Sequence, residues 1–167
     1  MTMNKNLLAK IVVTVAVMLS PLLDTTSAQP KNNRGIEVTF TKWLVNSSGL
    51  TPPQFGPLLE GDTAGDVPGM FEGTVIQAVP QTLSDGTTIK RLEARYTVIA
   101  NDPRHSFSIL IYGRQSSTLH GVLSGIVTDG WQSGSEVHVE FQGSPCGKGS
   151  GVCFDGTIRI MQDQDDD

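Results

Sequence analysis

The stretch IKRLEARYTVIA (89–100) sets Leu92, Ala94, Tyr96 and Val98 on one face and Arg91, Glu93, Arg95 and Thr97 on the other. A period of two is the signature of a half-buried β-strand. GIEVTFTKWLV (35–45) alternates through Ile36, Val38 and Phe40, and SEVHVEFQ (135–142) through Val137, Val139 and Phe141. MFEGTVIQAV (70–79), SFSILIYG (106–113), TLHGVLSGIVTDG (118–130) and CFDGTIRIM (153–161) are also strand-like, and helical periodicity is almost absent. Turn signals separate them, with Asp-Gly in LSDGTT (83–88) a strong hairpin signal and NDPRH (101–105) a further turn. NSSGLTPPQFGPLLEGDTAGD (46–66), rich in Gly, Pro and Ser, reads as a long loop. About seven short strands at this spacing predict an antiparallel sandwich or barrel. Glycines within the strands, at 73, 121, 125 and 156, favour the barrel, because a residue without Cβ lets a closing sheet coil sharply. The expected fold is all-β, a single antiparallel closed β-barrel of about eight strands.

The N-terminus predicts export. MTMNKNLLAK carries Lys5 and Lys10, an apolar run follows from Ile11 to Leu19, and SPLLDTTSA ends in small residues. That is the pattern of a secretory signal peptide over 1–28, cleaved after Ala28. The run is far shorter than the roughly 20 apolar residues of a spanning helix, so no membrane attachment is expected. The barrel domain is assigned to 29–161 and a disordered acidic tail to 162–167. The formal net charge of −5 gives no basic face for nucleic acid. Localisation is read as secreted, extracellular or periplasmic, and Asn46-Ser47-Ser48 as a glycosylation acceptor.

Both cysteines lie in SPCGKGSGVCF (144–154), between two strands. A phosphate loop needs a following helix and one more residue before its lysine. Two cysteines alone do not make a metal site, and a redox pair has the spacing C-x-x-C. In an exported chain the remaining reading is a disulfide, Cys146 to Cys153, across a glycine-rich hairpin loop.

The middle of the chain resembles the allene oxide cyclase and dirigent-like barrels. GDVPGMFEGTV (65–75), RLEARYTV (91–98), the glycine of IYG (111–113) and LSGIVTDGWQSGSEVHVEF (123–141) carry this in order, over roughly residues 60–141. The resemblance implies an eight-stranded barrel with an apolar cavity, often in dimers or trimers. It does not carry the activity. Residues 65–79 contain no asparagine to hold a cavity water, Glu37 is the one early glutamate available, and Thr128-Asp129-Gly130-Trp131 stands where dirigent proteins have a Gly-Gly-Thr-Gly turn.

No catalytic constellation is visible, neither Ser-His-Asp nor G-x-S-x-G. His138 alternates with Glu136 and Glu140, which an amphipathic strand explains without a metal; no metal or cofactor is expected. The candidate ligand-binding residues are Trp131, Asp129, Glu93, Arg95 and Tyr96. Trp131 with Asp129 pairs an apolar plate with a polar contact in a turn. Glu93 and Arg95 would orient a polar ligand group at a cavity mouth, although alternation alone also places them on a solvated outer face. SFSILIYG is apolar on both faces, which points to a homo-oligomer interface. The function expected is a secreted barrel that binds a small apolar ligand or acts non-catalytically in assembly. The alternative is a cyclase or isomerase, allene-oxide-cyclase-like or dirigent-like, acting on a reactive apolar substrate in the cavity.

Overall fold

The computed structural model describes residues 35–45 and 58–161. The expected signal peptide (1–28), the expected acceptor Asn46 and the expected acidic tail (162–167) lie outside the described residues. Eight antiparallel strands close into an up-and-down barrel in which each pairs with its neighbour in sequence and β1 pairs with β8. They are β1 (Ile36–Leu44), β2 (Leu58–Gly65), β3 (Gly69–Thr82), β4 (Thr88–Ala100), β5 (Phe107–Ser116), β6 (His120–Gly130), β7 (Glu136–Pro145) and β8 (Val152–Ile160). Among the described residues the only helical turn is a short 3-10 segment, Pro103–His105, between β4 and β5.

The loop expected over 46–66 is corrected in its second half, where Leu58–Gly65 forms β2. Its inward positions are Leu59, Gly61 and Thr63, so the alternation is real but not apolar. A Cβ on Gly61 would collide with the backbone of β1 at Thr41 and Lys42, and glycine is what lets the two strands approach.

The inward faces form one core, in which Tyr96, Val98, Ile109, Val137, Val139 and Phe141 are all buried. The outward face of β5 is only partly apolar, since Leu110 and Tyr112 stand there with Ser108, Arg114 and Ser116. Ile109 and Ile111 fill the barrel, while Tyr112 on the outer wall is 51% exposed, near the outward Leu110 and Ile126.

Large inward rings face glycines across the ladders. Gly156 pairs with both Phe40 and Phe141, Gly121 with Phe141, and Gly73 with Tyr96. A Cβ on Gly121 would enter the Phe141 ring, and one on Gly156 would stand 2.7 Å from Cζ of Phe40. The missing side chains are the space the rings occupy.

Topology sorts the turns between the two ends of the barrel. The β2–β3, β4–β5 and β6–β7 turns share one end, closed by Val67, which is fully buried, and by Trp131, which packs on the core and on the His105 ring at 4.6 Å. At the other end lie the connections β1–β2, β3–β4, β5–β6 and β7–β8. There Cys146 and Cys153 are joined in a disulfide, with Cα atoms 5.6 Å apart. Lys148 in this loop lies 3.9 Å above the Trp43 ring and 3.5 Å from the Asp62 carboxylate, and the Ser150 N–H donates to the Leu44 carbonyl. The glycine-rich stretch is thus a stapled loop folded over the ends of β1 and β2.

Two expectations follow. Gly121→Ala forces the Phe141 ring to move and should lower stability by about 1–3 kcal/mol, read from urea denaturation. The denatured, unreduced protein should take up no thiol reagent at Cys146 or Cys153. Its reduction should cost about 2.5 kcal/mol on the chain-entropy account of a closed loop this short.

Candidate functional site

Alternation along β1 carries Ile36, Val38 and Phe40 inward and then Lys42, one turn of the pleat from the strand's end. The lysine obeys the register. Its side chain lies inside the barrel, only 2% exposed. Its Nζ donates a hydrogen bond to the Tyr96 hydroxyl, itself buried on β4. Around the amine stand five rings, with centroids at 4.0 Å (Tyr96), 4.2 Å (Phe141), 4.9 Å (Phe40), 5.6 Å (Phe71) and 6.0 Å (Phe154).

Above this pair is a cavity of about 280 Å³ that opens at the disulfide end. Its buried floor is Lys42, Leu59, Tyr96, Gln115 and Phe141, and Leu44, Val75, Leu92, Val152 and Phe154 make most of its wall. Ala78, Lys90 and Ser150 are exposed residues at its rim. No carboxylate lines it, and among the described residues Lys42 forms no ion pair. The volume lies just below the range for small-molecule sites, roughly 300–1,000 Å³, and a mostly apolar wall with a few polar groups is their usual composition. A larger groove, about 800 Å³, runs along the outer wall past Gln77, Arg91, Glu93, Tyr112 and Arg114. Val79, Ile89 and Val122 also line it, and its side chains project from the outer wall, whereas the interior cavity has buried polar groups on its floor.

Burial drives both floor groups towards their uncharged forms. The Lys42 pKa lies well below the ordinary lysine value, and the Tyr96 phenol is raised well above its own. The surrounding rings attract an ammonium by about 0.5–2 kcal/mol each. That attraction opposes a burial penalty of several kcal/mol per ion, and no carboxylate adds to it.

The five candidate residues separate in space. Tyr96 is on the cavity floor. Glu93 and Arg95 project from the outer wall, where Glu93 lines the large groove and Arg95 a smaller one beside β2 and β3. Trp131 is at the closed end, across the barrel from the cavity, and Asp129 is exposed near it on β6. His120 and Glu140, 2.9 Å apart, and His138 all stand on the outer face, and among the described residues no three His, Cys, Asp or Glu side chains group as metal ligands would. Lys42 is the residue that sequence reasoning missed. The signal was present, a lysine in register with Ile36, Val38 and Phe40. Comparison with family models, with curated proteins and with solved structures finds no match to the chain.

The lowered Lys42 pKa fixes the sign of a pH effect. Between that value and the ordinary one, about 10.4, the unfolded chain binds a proton at this site that the folded protein does not. Stability therefore rises with pH across the window, by up to about 1.4 kcal/mol per unit from this group. Lys42→Met should remove that slope and be the more stable protein at neutral pH. Denaturation midpoints from pH 7 to 10 check this, and parallel curves for the two proteins would mean that the amine is charged in the fold.

Proposed function

We propose that this chain is a secreted β-barrel that binds a small apolar ligand in the cavity at the disulfide end. The observation that carries the reading is a mostly apolar cavity, open to solvent, with the Lys42–Tyr96 pair and Gln115 buried on its floor. Apolar walls supply affinity through surface removed from water, and a single polar contact orients the ligand. The disulfide supports an oxidising compartment, and the leader pattern over 1–28 supports export. A barrel with a wholly filled interior would instead suit a purely structural role.

The second reading is a cyclase or isomerase acting on a reactive apolar substrate, as the family resemblance implies. One observation favours it: Lys42 and Tyr96 point inward, where a barrel that only encloses a hydrocarbon needs no polar group.

Binding is tested with N-phenyl-1-naphthylamine, a neutral dye that brightens in apolar surroundings. The folded protein should bind it. Val75→Trp, which fills the cavity from β3, should weaken binding at least tenfold, whereas Trp131→Ala at the closed end should leave it within twofold. Loss of binding in Trp131→Ala with retention in Val75→Trp would move the site to the opposite end.

A further inference from the structure

The cavity floor holds one amine, with no carboxylate to pair it and a phenol hydroxyl in direct contact. Lys90, the other lysine of the cavity, is exposed at the rim, and Lys148 is engaged outside with Trp43 and Asp62. A lysine set apart from water among apolar side chains is the arrangement in which a primary amine acts as a nucleophile towards carbonyl carbon. We propose that Lys42 captures an apolar aldehyde or ketone as an imine, with the Tyr96 hydroxyl relaying the protons. The inference rests on the cavity being a ligand site, and it names the chemical class of the ligand.

The steps balance without a cofactor. The Lys42 nitrogen lone pair forms a bond to the carbonyl carbon, and the carbonyl π pair moves onto oxygen. One N–H proton passes to that oxygen through the Tyr96 hydroxyl, which gives one proton and takes another, leaving a neutral carbinolamine. The nitrogen pair then closes the C=N bond as the C–O bond breaks, the departing oxygen takes the Tyr96 hydroxyl proton and leaves as water, and the phenolate takes the remaining N–H proton from the iminium nitrogen. The result is an imine and one water, with no change of redox state. Burial favours the reactant that this needs, an uncharged amine beside a protonated phenol. Phe141 and Phe154, with Leu44, Val75 and Leu92, supply the apolar contact for the rest of the ligand, and a ligand that fills the cavity displaces water from around the product. A carboxylate ligand would instead need the amine charged.

The test uses the whole folded protein and 4-isopropylbenzaldehyde as probe. Sodium cyanoborohydride, as hydride donor, reduces any imine to a stable secondary amine, and peptide mass spectrometry locates it. At limiting aldehyde, Lys42 should be modified at least tenfold faster than Lys90 or Lys148, and the naphthylamine dye should slow only the Lys42 reaction. Tyr96→Phe should slow trapping at Lys42 about tenfold, and Lys42→Arg should abolish the cavity adduct. Equal modification of the three lysines overturns the proposal, and the wild-type map alone decides this should a variant fail to fold. Tight dye binding with no adduct at Lys42 overturns it while leaving the ligand-binding reading intact. Displacement of the dye by decanoate, dependent on Lys42 and without any aldehyde adduct, overturns it in favour of an ion pair. Absence of dye binding removes both readings together.

Discussion

The interior of an eight-stranded barrel has room for only so much side chain, and that limit organises this protein. Three inward glycines, Gly73, Gly121 and Gly156, stand opposite Tyr96, Phe141 and Phe40. The rings fill space that the glycines leave, and they meet one another across the axis, with Phe40, Phe71 and Tyr96 in mutual contact. This aromatic layer separates a filled half, packed down to Val67, Phe107 and Trp131, from the half that opens as a cavity.

Lys42 sits at that boundary. A methionine would fill the position without an amine to desolvate, and the protein instead keeps a group that disfavours burial. Lysine is seldom buried without a carboxylate partner, and amines with lowered pKa beside a cavity are common at functional sites, although structural networks also produce them. The staple between Cys146 and Cys153 belongs to the same arrangement, because Ser150 and Val152, inside or next to its loop, line the cavity.

The strands whose alternation is both apolar and regular, β1, β4 and β7, were legible from sequence, and so was closure from the glycines within strands. β2 was not, because Leu59, Gly61 and Thr63 present one large apolar side chain among three inward positions. That omission reaches the site. Without β2, β1 would run directly into β3, its direction relative to the other strands would reverse, and the turn holding Trp131 would fall at the same end as Lys42. With β2 in place the two are at opposite ends. Lys42 was obscured for a different reason: its position was inward by register, but lysine is so seldom buried that its chemistry argued for the surface. Glu93 and Arg95 obeyed both register and chemistry and lie on the outer wall.

The ladder between β1 and β8 brings the two ends of the barrel's chain together, with Ile36 opposite Ile160. Every other ladder joins strands that are consecutive in sequence. The order of strands around the wall is therefore a ring with no privileged starting point. A chain that began at Gly86 in the β3–β4 turn, ran through β8, crossed by a short linker to β1 and ended at Asp85 would make the same eight ladders. In such a rearranged chain the pairing of β1 with β8 becomes a local hairpin and that of β3 with β4 becomes the distant one. The slow step of folding would move with it, since joining strands far apart in the chain carries the larger entropic cost.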